Sequence, residues 1–352
     1  MTHTPGAGAL GCYVLPGGVR DPRLGLEQAR VAEGLGLGSV WIGERFDTKD
    51  LPTLASAIGQ VTERVQIGAA VTVPGVRHPM VLASMGQTLQ SLTGERFMLG
   101  FGRSAAWRWQ QYGIPAPTLA SLGDTADILR RLWAGETVSY HGPAGDFPEL
   151  RLPQRPDATP PPLLLAAVGP KTLHLAGRSF DGVILHPFLT PDAVGRSLDI
   201  ARKGAAEAGK DPDAFRCFAT VVVAPDRTET DAALAVGARA AGYFQLRGLG
   251  DALAAANGWS ATELARYRAQ PELAALGDRS ADKALSRDQL IELSRAMPDD
   301  WLSSSSAVGD ADTCTARLRA YVAAGADELV LHGSTAEHLG GLIAAFAAGS
   351  SS

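Results

Sequence analysis

The sequence predicts an α/β fold, a closed parallel (β/α)8 barrel with a helical insertion between its seventh and eighth strands. Three observations lead there. Eight short apolar runs alternate with longer amphipathic segments, the pattern of βα units around a parallel sheet. Most of the runs are nearly continuous in apolar residues rather than alternating, as strands covered on both faces are. The length, 352 residues, exceeds an ordinary domain but suits one α/β barrel.

Residues 1–9 lack the basic and apolar regions of a signal peptide and read as a flexible leader. The first strand is Leu10–Leu15, followed by a helix over Pro22–Leu35 that Gly36 stops. Strand two is Ser39–Gly43, and the helix Asp50–Glu63 carries Pro52 in its first turn. Strand three is Val65–Val73, and Pro79 opens the helix Met80–Leu92 that leads to strand four, Arg96–Phe101. Thr137–Pro162, rich in Pro and Gly, reads as an irregular connection laid over the barrel. Strands five to seven are Leu163–Val168, Gly182–Leu185 and Arg216–Val223. Gln245–Ala307 alternates helical pieces (Ala261–Arg268, Arg287–Ala296) with breakers at Pro271, Gly277 and Pro298, a helical subdomain or lid. Its Trp259, Tyr267 and Trp301 are expected to form the insertion's own small core. The helix Thr313–Ala324 ends at Gly325 and delivers the chain through Asp327 to strand eight, Glu328–Leu331. One barrel domain thus covers residues 10–348, with a tail at 349–352.

Apolar residues make up 45% and charged residues 20% of the chain, the balance of a soluble globular protein. A net charge of −5, with no block of Lys and Arg, argues against nucleic acid as a partner. No window approaches the roughly 20 apolar residues of a membrane span. Cys12, Cys217 and Cys314 lie far apart, which excludes a disulfide framework or a four-ligand zinc site and suits the cytoplasm. The seven histidines show no paired ligand spacing, so no metal is expected.

Function in such a barrel collects where strands end at their C-terminal side. After strand two stand Glu44, a candidate acid or base, and Arg45, permanently charged and able only to orient a group or stabilise an anion. Strand three is followed by Pro74, Gly75, Arg77 and His78; the histidine is either a proton donor or a structural helix-entry residue. Gly100-Phe101-Gly102-Arg103-Ser104 resembles half of a dinucleotide fingerprint but lacks the third glycine. Its glycines either relieve crowding at the rim or admit a ligand close to the backbone. Gly169-Pro170-Lys171-Thr172 places a lysine at a helix start, where free N–H groups and the dipole attract an anion such as phosphate. The alternative there is an ordinary turn with a solvated lysine. His186 and His332 end strands six and eight, and Trp107, Trp109 and Tyr112 are expected to wall the substrate site.

The segments WIGERFDTKDLPTLASAIGQVTERVQIGAAVTV, RHPMVLASMGQTLQSLTGERFMLGFGRS, LLLAAVGPKTLHLAGRSFDGVIL and AGADELVLHGS resemble the luciferase-like monooxygenase superfamily from about Leu10 to the end of the chain. Within it the chain is similar to the actinobacterial branch of coenzyme F420-dependent oxidoreductases, including NGW (Asn257–Trp259) and DDWL (Asp299–Leu302) in the insertion. The resemblance implies a TIM barrel holding the deazaflavin at its C-terminal mouth. The implied contacts are Glu44, Ala70, Val71, Gly102, Arg103, Ser104, Gly169, Pro170, Lys171, Thr172 and His186, with a non-proline cis peptide at Ala70-Val71. Glu44 and Arg45 stand where many members carry an acidic residue and a histidine, so the proton would come from Glu44, a nearby histidine or water. Ala105 and Ala106 replace the acidic residue of members acting on sugar phosphates, which argues against such a substrate. The implied reaction is hydride transfer between the deazaflavin C5 and an enone, imine, alcohol or ketone. The alternatives are an FMN-dependent monooxygenase using oxygen and a non-catalytic deazaflavin-binding protein. The resemblance also implies a homodimer, with Leu54, Ala55, Ile58, Gly59, Val61, Met85 and Leu89 as its apolar surface.

Overall fold

The structure is a computed structural model that describes residues 6–16, 21–46, 48–104, 106–277, 279 and 281–349. Residues 1–5 and 350–352, parts of the expected leader and tail, lie outside the described residues, as does Ala105.

The eight expected runs form eight strands: β1 (Leu10–Tyr13), β2 (Ser39–Ile42), β3 (Gln66–Ala69), β4 (Phe97–Phe101), β5 (Leu163–Ala167), β6 (Gly182–Leu185), β7 (Arg216–Pro225) and β8 (Glu328–His332). Each pairs in parallel with the next, and β8 pairs with β1 (Leu329 opposite Leu10), which closes the barrel. Two aspartates fix where strands begin. The Asp181 carboxylate accepts from Leu163 N at 2.8 Å, tying the start of β6 to β5, and Asp327 accepts from Cys217 N at 2.6 Å, tying β8 to β7.

Strand side chains alternate between two packed layers. Trp41, Met98, Leu164, Ile184, Phe218 and Val330 form the smaller cluster, with Tyr13, Ala70, Val71 and Ala166 against it. The opposite faces pack under the surrounding helices in one large continuous core. Those helices are α1 (Leu24–Gly34), α2 (Leu51–Val61), α3 (Pro79–Thr93), α4 (Leu119–Trp133), α5 (Pro170–Ser179), α6 (Pro191–Glu207) and α7 (Ala311–Ala323). Helices α5 and α6 approach so closely that a Cβ on Gly177 would lie 1.8 Å from the Ala201 carbonyl oxygen, and one on Gly204 2.3 Å from that of His174.

Four expectations need correction. Ala7–Ala9 form a 3-10 turn with Ala7 against the core, because Gly38 leaves room for the Gly8 carbonyl. The Thr137–Pro162 connection contains an antiparallel hairpin, Val138–Gly142 with Gly145–Leu150, anchored by the Tyr140 hydroxyl donating to Asp124 at 2.6 Å. The 245–307 insertion is helical but ends in a short strand, Ser306–Gly309, that pairs with the far end of β7. Leu54, Ala55, Ile58, Gly59 and Leu89 are buried within the protomer, where α2 packs on α3, and so are no outer surface.

The insertion is part of the barrel's core. Asn257 accepts from Thr190 N at 2.9 Å and donates to the Phe188 carbonyl at 2.8 Å, pinning the β6–α6 connection. Trp259 stacks on Trp301 at 4.7 Å, and both contact Phe244. Tyr267 and Trp301 are fully buried, so these aromatics serve packing, but in a core continuous with the barrel's rather than in one of the insertion's own.

Candidate active site

Strand β3 ends at Ala69, and the peptide bond between Ala70 and Val71 is cis. The chain then rejoins β4: Thr72 N donates to the Gly100 carbonyl at 2.8 Å and Gly102 N to the Thr72 carbonyl at 3.0 Å. Gly102 is dictated by this bulge, since a Cβ there would lie 2.3 Å from Val71 Cγ2. Gly100 is likewise dictated by the Ala69 carbonyl. Of the two readings of the Gly-Phe-Gly turn, relief of crowding at the rim accounts for both glycines. Tyr13, the last residue of β1, donates from its hydroxyl to the Ala70 carbonyl at 3.4 Å.

Beside the bulge lies Glu44, its side chain only 1% exposed. Thr72 Oγ1 donates to Glu44 Oε2 at 2.7 Å, and Arg77 Nη2 pairs with Glu44 Oε1 at 2.5 Å. Arg77 also donates to Thr72 Oγ1 at 3.2 Å and to Asp50 Oδ1 at 3.3 Å. The partner of Glu44 is therefore Arg77, from the segment before α3. Glu44, Phe46, Lys49, Asp50 and Arg77 line an open cleft of about 360 Å3. Lys49 is 9% exposed and donates to the Leu15 carbonyl. Burial, reinforced by the Arg45 charge, pulls its pKa down to about 8.

A second group gathers at the ends of β8, β1 and β6 and on the helix that follows β7. The His332 ring lies 4.5 Å from Tyr13, and the His186 ring 4.7 Å from Tyr243. Burial holds both imidazoles neutral: His186 is pulled down to about 4, and His332 well below its ordinary value. After burial, the cations that act on His332 are Arg239, Arg45 and Lys49. His186 Nδ1 hydrogen-bonds the Pro187 carbonyl at 3.0 Å, which leaves Nε2 as the acceptor nitrogen of the neutral ring. Burial pushes the Tyr13 phenol up, so it is a neutral donor.

The remaining expected residues fall at the rim. His78 is exposed and caps α3, its Nδ1 accepting from Met80 N at 3.2 Å. That satisfies the structural reading of this histidine. Arg103 and Ser104 are exposed, and Arg103 Nε donates to the Pro117 carbonyl at 3.2 Å. Trp109 is buried at 4% exposure and Tyr112 lies edge-on to Phe46, while the Trp107 side chain is outside the described residues. Across the barrel, α5 begins at Pro170 with no side-chain cap, Lys171 exposed, and nothing within 4 Å of where a Gly169 Cβ would stand. Pro170 has no N–H, and Thr172 N and Leu173 N both donate to the Gly169 carbonyl at 3.0 Å, so of the first turn only Lys171 offers a backbone N–H to a ligand.

Sequence reasoning overlooked Tyr13, Lys49, Arg239 and Tyr243 and assigned Arg77 no role. Tyr13 had a signal, a polar-tipped aromatic at a strand's C-terminal end. Lys49 and Arg239 had none, because both reach the mouth from segments outside the strand ends.

Among the described residues no helix is long and apolar enough to cross a membrane, and no three His, Cys, Asp or Glu cluster as metal ligands. The luciferase-like monooxygenase family description matches residues 6–328. A 5,10-methylenetetrahydromethanopterin reductase of Archaeoglobus fulgidus is 27% identical over 206 residues, 56% of this chain; the chain spans 59% of that protein's length. An F420-dependent glucose-6-phosphate dehydrogenase of Amycolatopsis mediterranei is 25% identical over 340 residues, 89% of each chain. Among solved structures, the coenzyme F420-dependent tetrahydromethanopterin reductase of Methanopyrus kandleri superposes with a TM-score of 0.78 at 20% identity, covering 96% of this chain and 99% of that one.

Proposed function

The chain belongs to the luciferase-like monooxygenase family, and from that premise we propose that it is a coenzyme F420-dependent oxidoreductase acting on a small organic substrate, an enone, imine, alcohol or ketone. The observation that carries this reading is a relative named for F420 that aligns along 89% of the chain, together with a helix start after β5 that no side chain caps.

The residues present fit the cofactor. The start of α5, with Gly169, Pro170, Lys171 and Thr172, would hold a phosphate through the Lys171 N–H and ammonium and the Thr172 hydroxyl, with the helix dipole behind them. The Ala70-Val71 bulge, kept close to β4 by Gly102, would back the ring, with Ser104, Arg103 and His186 at its edges. When bound, the deazaflavin supplies a two-electron hydride carrier.

The chain's own residues orient and protonate. Glu44, held by Thr72 and Arg77, orients rather than shuttles. Arg45 keeps its proton at any working pH. His78 is committed to capping α3. Lys49, at the wall of the same cleft and with its pKa near neutrality, is the group suited to hand a proton to the substrate.

The phosphate cradle suits FMN equally, so the runner-up reading is a monooxygenase using reduced FMN and oxygen. Quenching of tryptophan fluorescence tests the choice. F420 is expected to bind at low micromolar concentration, about −8 kcal/mol, with FMN at least tenfold weaker. Lys171→Glu should weaken F420 at least tenfold while leaving the melting temperature nearly unchanged, since an exposed lysine contributes little to folding. Tighter binding of reduced FMN, with turnover that requires oxygen, would overturn the assignment. A twofold homodimer in the cytoplasm completes the proposal.

A further inference from the structure

We propose that Gln28 is a positioning residue for the reaction: by accepting the Leu15 N–H, it holds Leu15 in a left-handed turn whose carbonyl fixes the Lys49 ammonium at the wall of the cleft. The inference rests on the reading of Lys49 as the proton donor and extends it to residues that touch no substrate.

The contact begins where β1 leaves the barrel. Val14 N still donates to the Trp41 carbonyl of β2 at 3.0 Å. At Leu15 the backbone turns to a φ of 50°, a conformation that leucine, unlike glycine or asparagine, rarely adopts. It persists only where the surroundings impose it. Contacts from α1 do so here. Gln28 Oε1 accepts from Leu15 N at 2.8 Å, and the Leu15 side chain lies over Gly25, where a Cβ would stand 2.8 Å from Leu15 Cδ1. Gln28 is itself buried, and taking its amide out of water is offset only by a bond to a specific partner.

The other side of Leu15 serves Lys49, whose Nζ donates to the Leu15 carbonyl. The Lys49 backbone is fixed separately, since Thr48 N and Lys49 N both donate to the Arg45 carbonyl at 2.9 Å. A lysine's long flexible stem means that anchoring the backbone does not place the ammonium. The Leu15 carbonyl does. The charged groups around Lys49 offer no substitute for it. Glu44 and Asp50, the carboxylates of the cleft, both pair with Arg77. Arg45 repels the ammonium, and His332 on β8 is held neutral. A general acid works only from within reach of the atom it protonates, so a lysine head that wanders loses rate rather than binding. Gln28 thus acts on the cleft through Leu15 without lining it.

Isotope-edited NMR of the lysine side chains in the apoprotein, with the Lys49 signal assigned by its loss in Lys49→Met, reads the ammonium directly. In the wild type it should titrate at about pH 8. Gln28→Met should lower that midpoint by about half a unit or more, because a buried ammonium that loses its acceptor is less stable relative to the amine. Ala32→Gly, a buried change on the same helix that leaves Gln28 in place, should not move it. An unmoved midpoint in Gln28→Met would overturn the positioning role. So would an equal shift in Ala32→Gly, since loosening α1 would then suffice. On the F420-loaded enzyme with cyclohexenone, Gln28→Met should lower kcat about fivefold or more and change KM less than about twofold. A lowered midpoint with kcat unchanged would leave the contacts of Leu15 with Gln28 and Lys49 standing and remove Lys49 as the proton donor. Should Gln28→Met fail to fold by circular dichroism, Leu15→Ile carries the same comparison, since a β-branched residue keeps the volume but resists the left-handed conformation.

Discussion

Lys49 shows how a residue acquires chemistry that its type does not confer. In water its ammonium would be a poor acid at neutral pH, but burial and the neighbouring Arg45 charge lower its pKa to about 8. If Lys49 donates the proton, the active form is the ammonium, which is lost as pH rises through that value. The kcat/KM profile should therefore decline above about pH 8, and Lys49→Met should lower kcat at least tenfold and abolish that limb while changing F420 affinity less than twofold. An unchanged limb in Lys49→Met would assign the proton to another group. Glu44 and Arg45 stood out in the sequence because they follow a strand directly. Arg77 could be singled out only once α3 was docked, because nothing local says that its guanidinium turns back toward Glu44 rather than into solvent.

At the scale of elements, strand positions were legible wherever burial on both faces left an unbroken apolar run, as in Gly182–Leu185. The hairpin between α4 and β5 was not, because its exposed face and its Gly and Pro residues hide the alternation. The stacking of Tyr140 on Phe147, the bond from Tyr140 to Asp124 and the contact of Phe147 with His78 hold it in place. The crossing of α5 and α6 is the most exacting contact between elements. At Gly177 even a methyl group would meet the Ala201 carbonyl. Gly177→Ala should therefore destabilise the fold by about 1–3 kcal/mol in urea titration. Gly169→Ala, with open space around its Cβ, should change stability by less than about 0.5 kcal/mol. Equal effects from the two substitutions would show that the helices move apart at little cost.

At the scale of the molecule, the face expected to pair with a second copy needs redrawing. The small and apolar residues of α2 are consumed inside the protomer, whereas Val81 and Leu92 on α3 remain 53% and 48% exposed. Sedimentation at micromolar protein should give a twofold dimer, and Val81→Asp combined with Leu92→Asp should give a monomer of unchanged melting temperature. A monomeric wild type would refute the dimer, and a dimer that survives both substitutions would place its interface elsewhere.

Taken by itself, the sequence determined the eightfold alternation, the closure of the barrel and, by resemblance, the cis bond at Ala70-Val71. These follow from patterns written within a few residues: apolar period, helix stops, and glycine where a neighbour's backbone comes close. The tertiary structure alone decided that Glu44 is held by Arg77, that Lys49 is buried beside Arg45, and that Tyr13 and His332, from the first and last strands, share one recess. The physical reason is that charge state and hydrogen-bond partners depend on local dielectric and distance. In a closed barrel both are set by residues that meet only when the last strand joins the first.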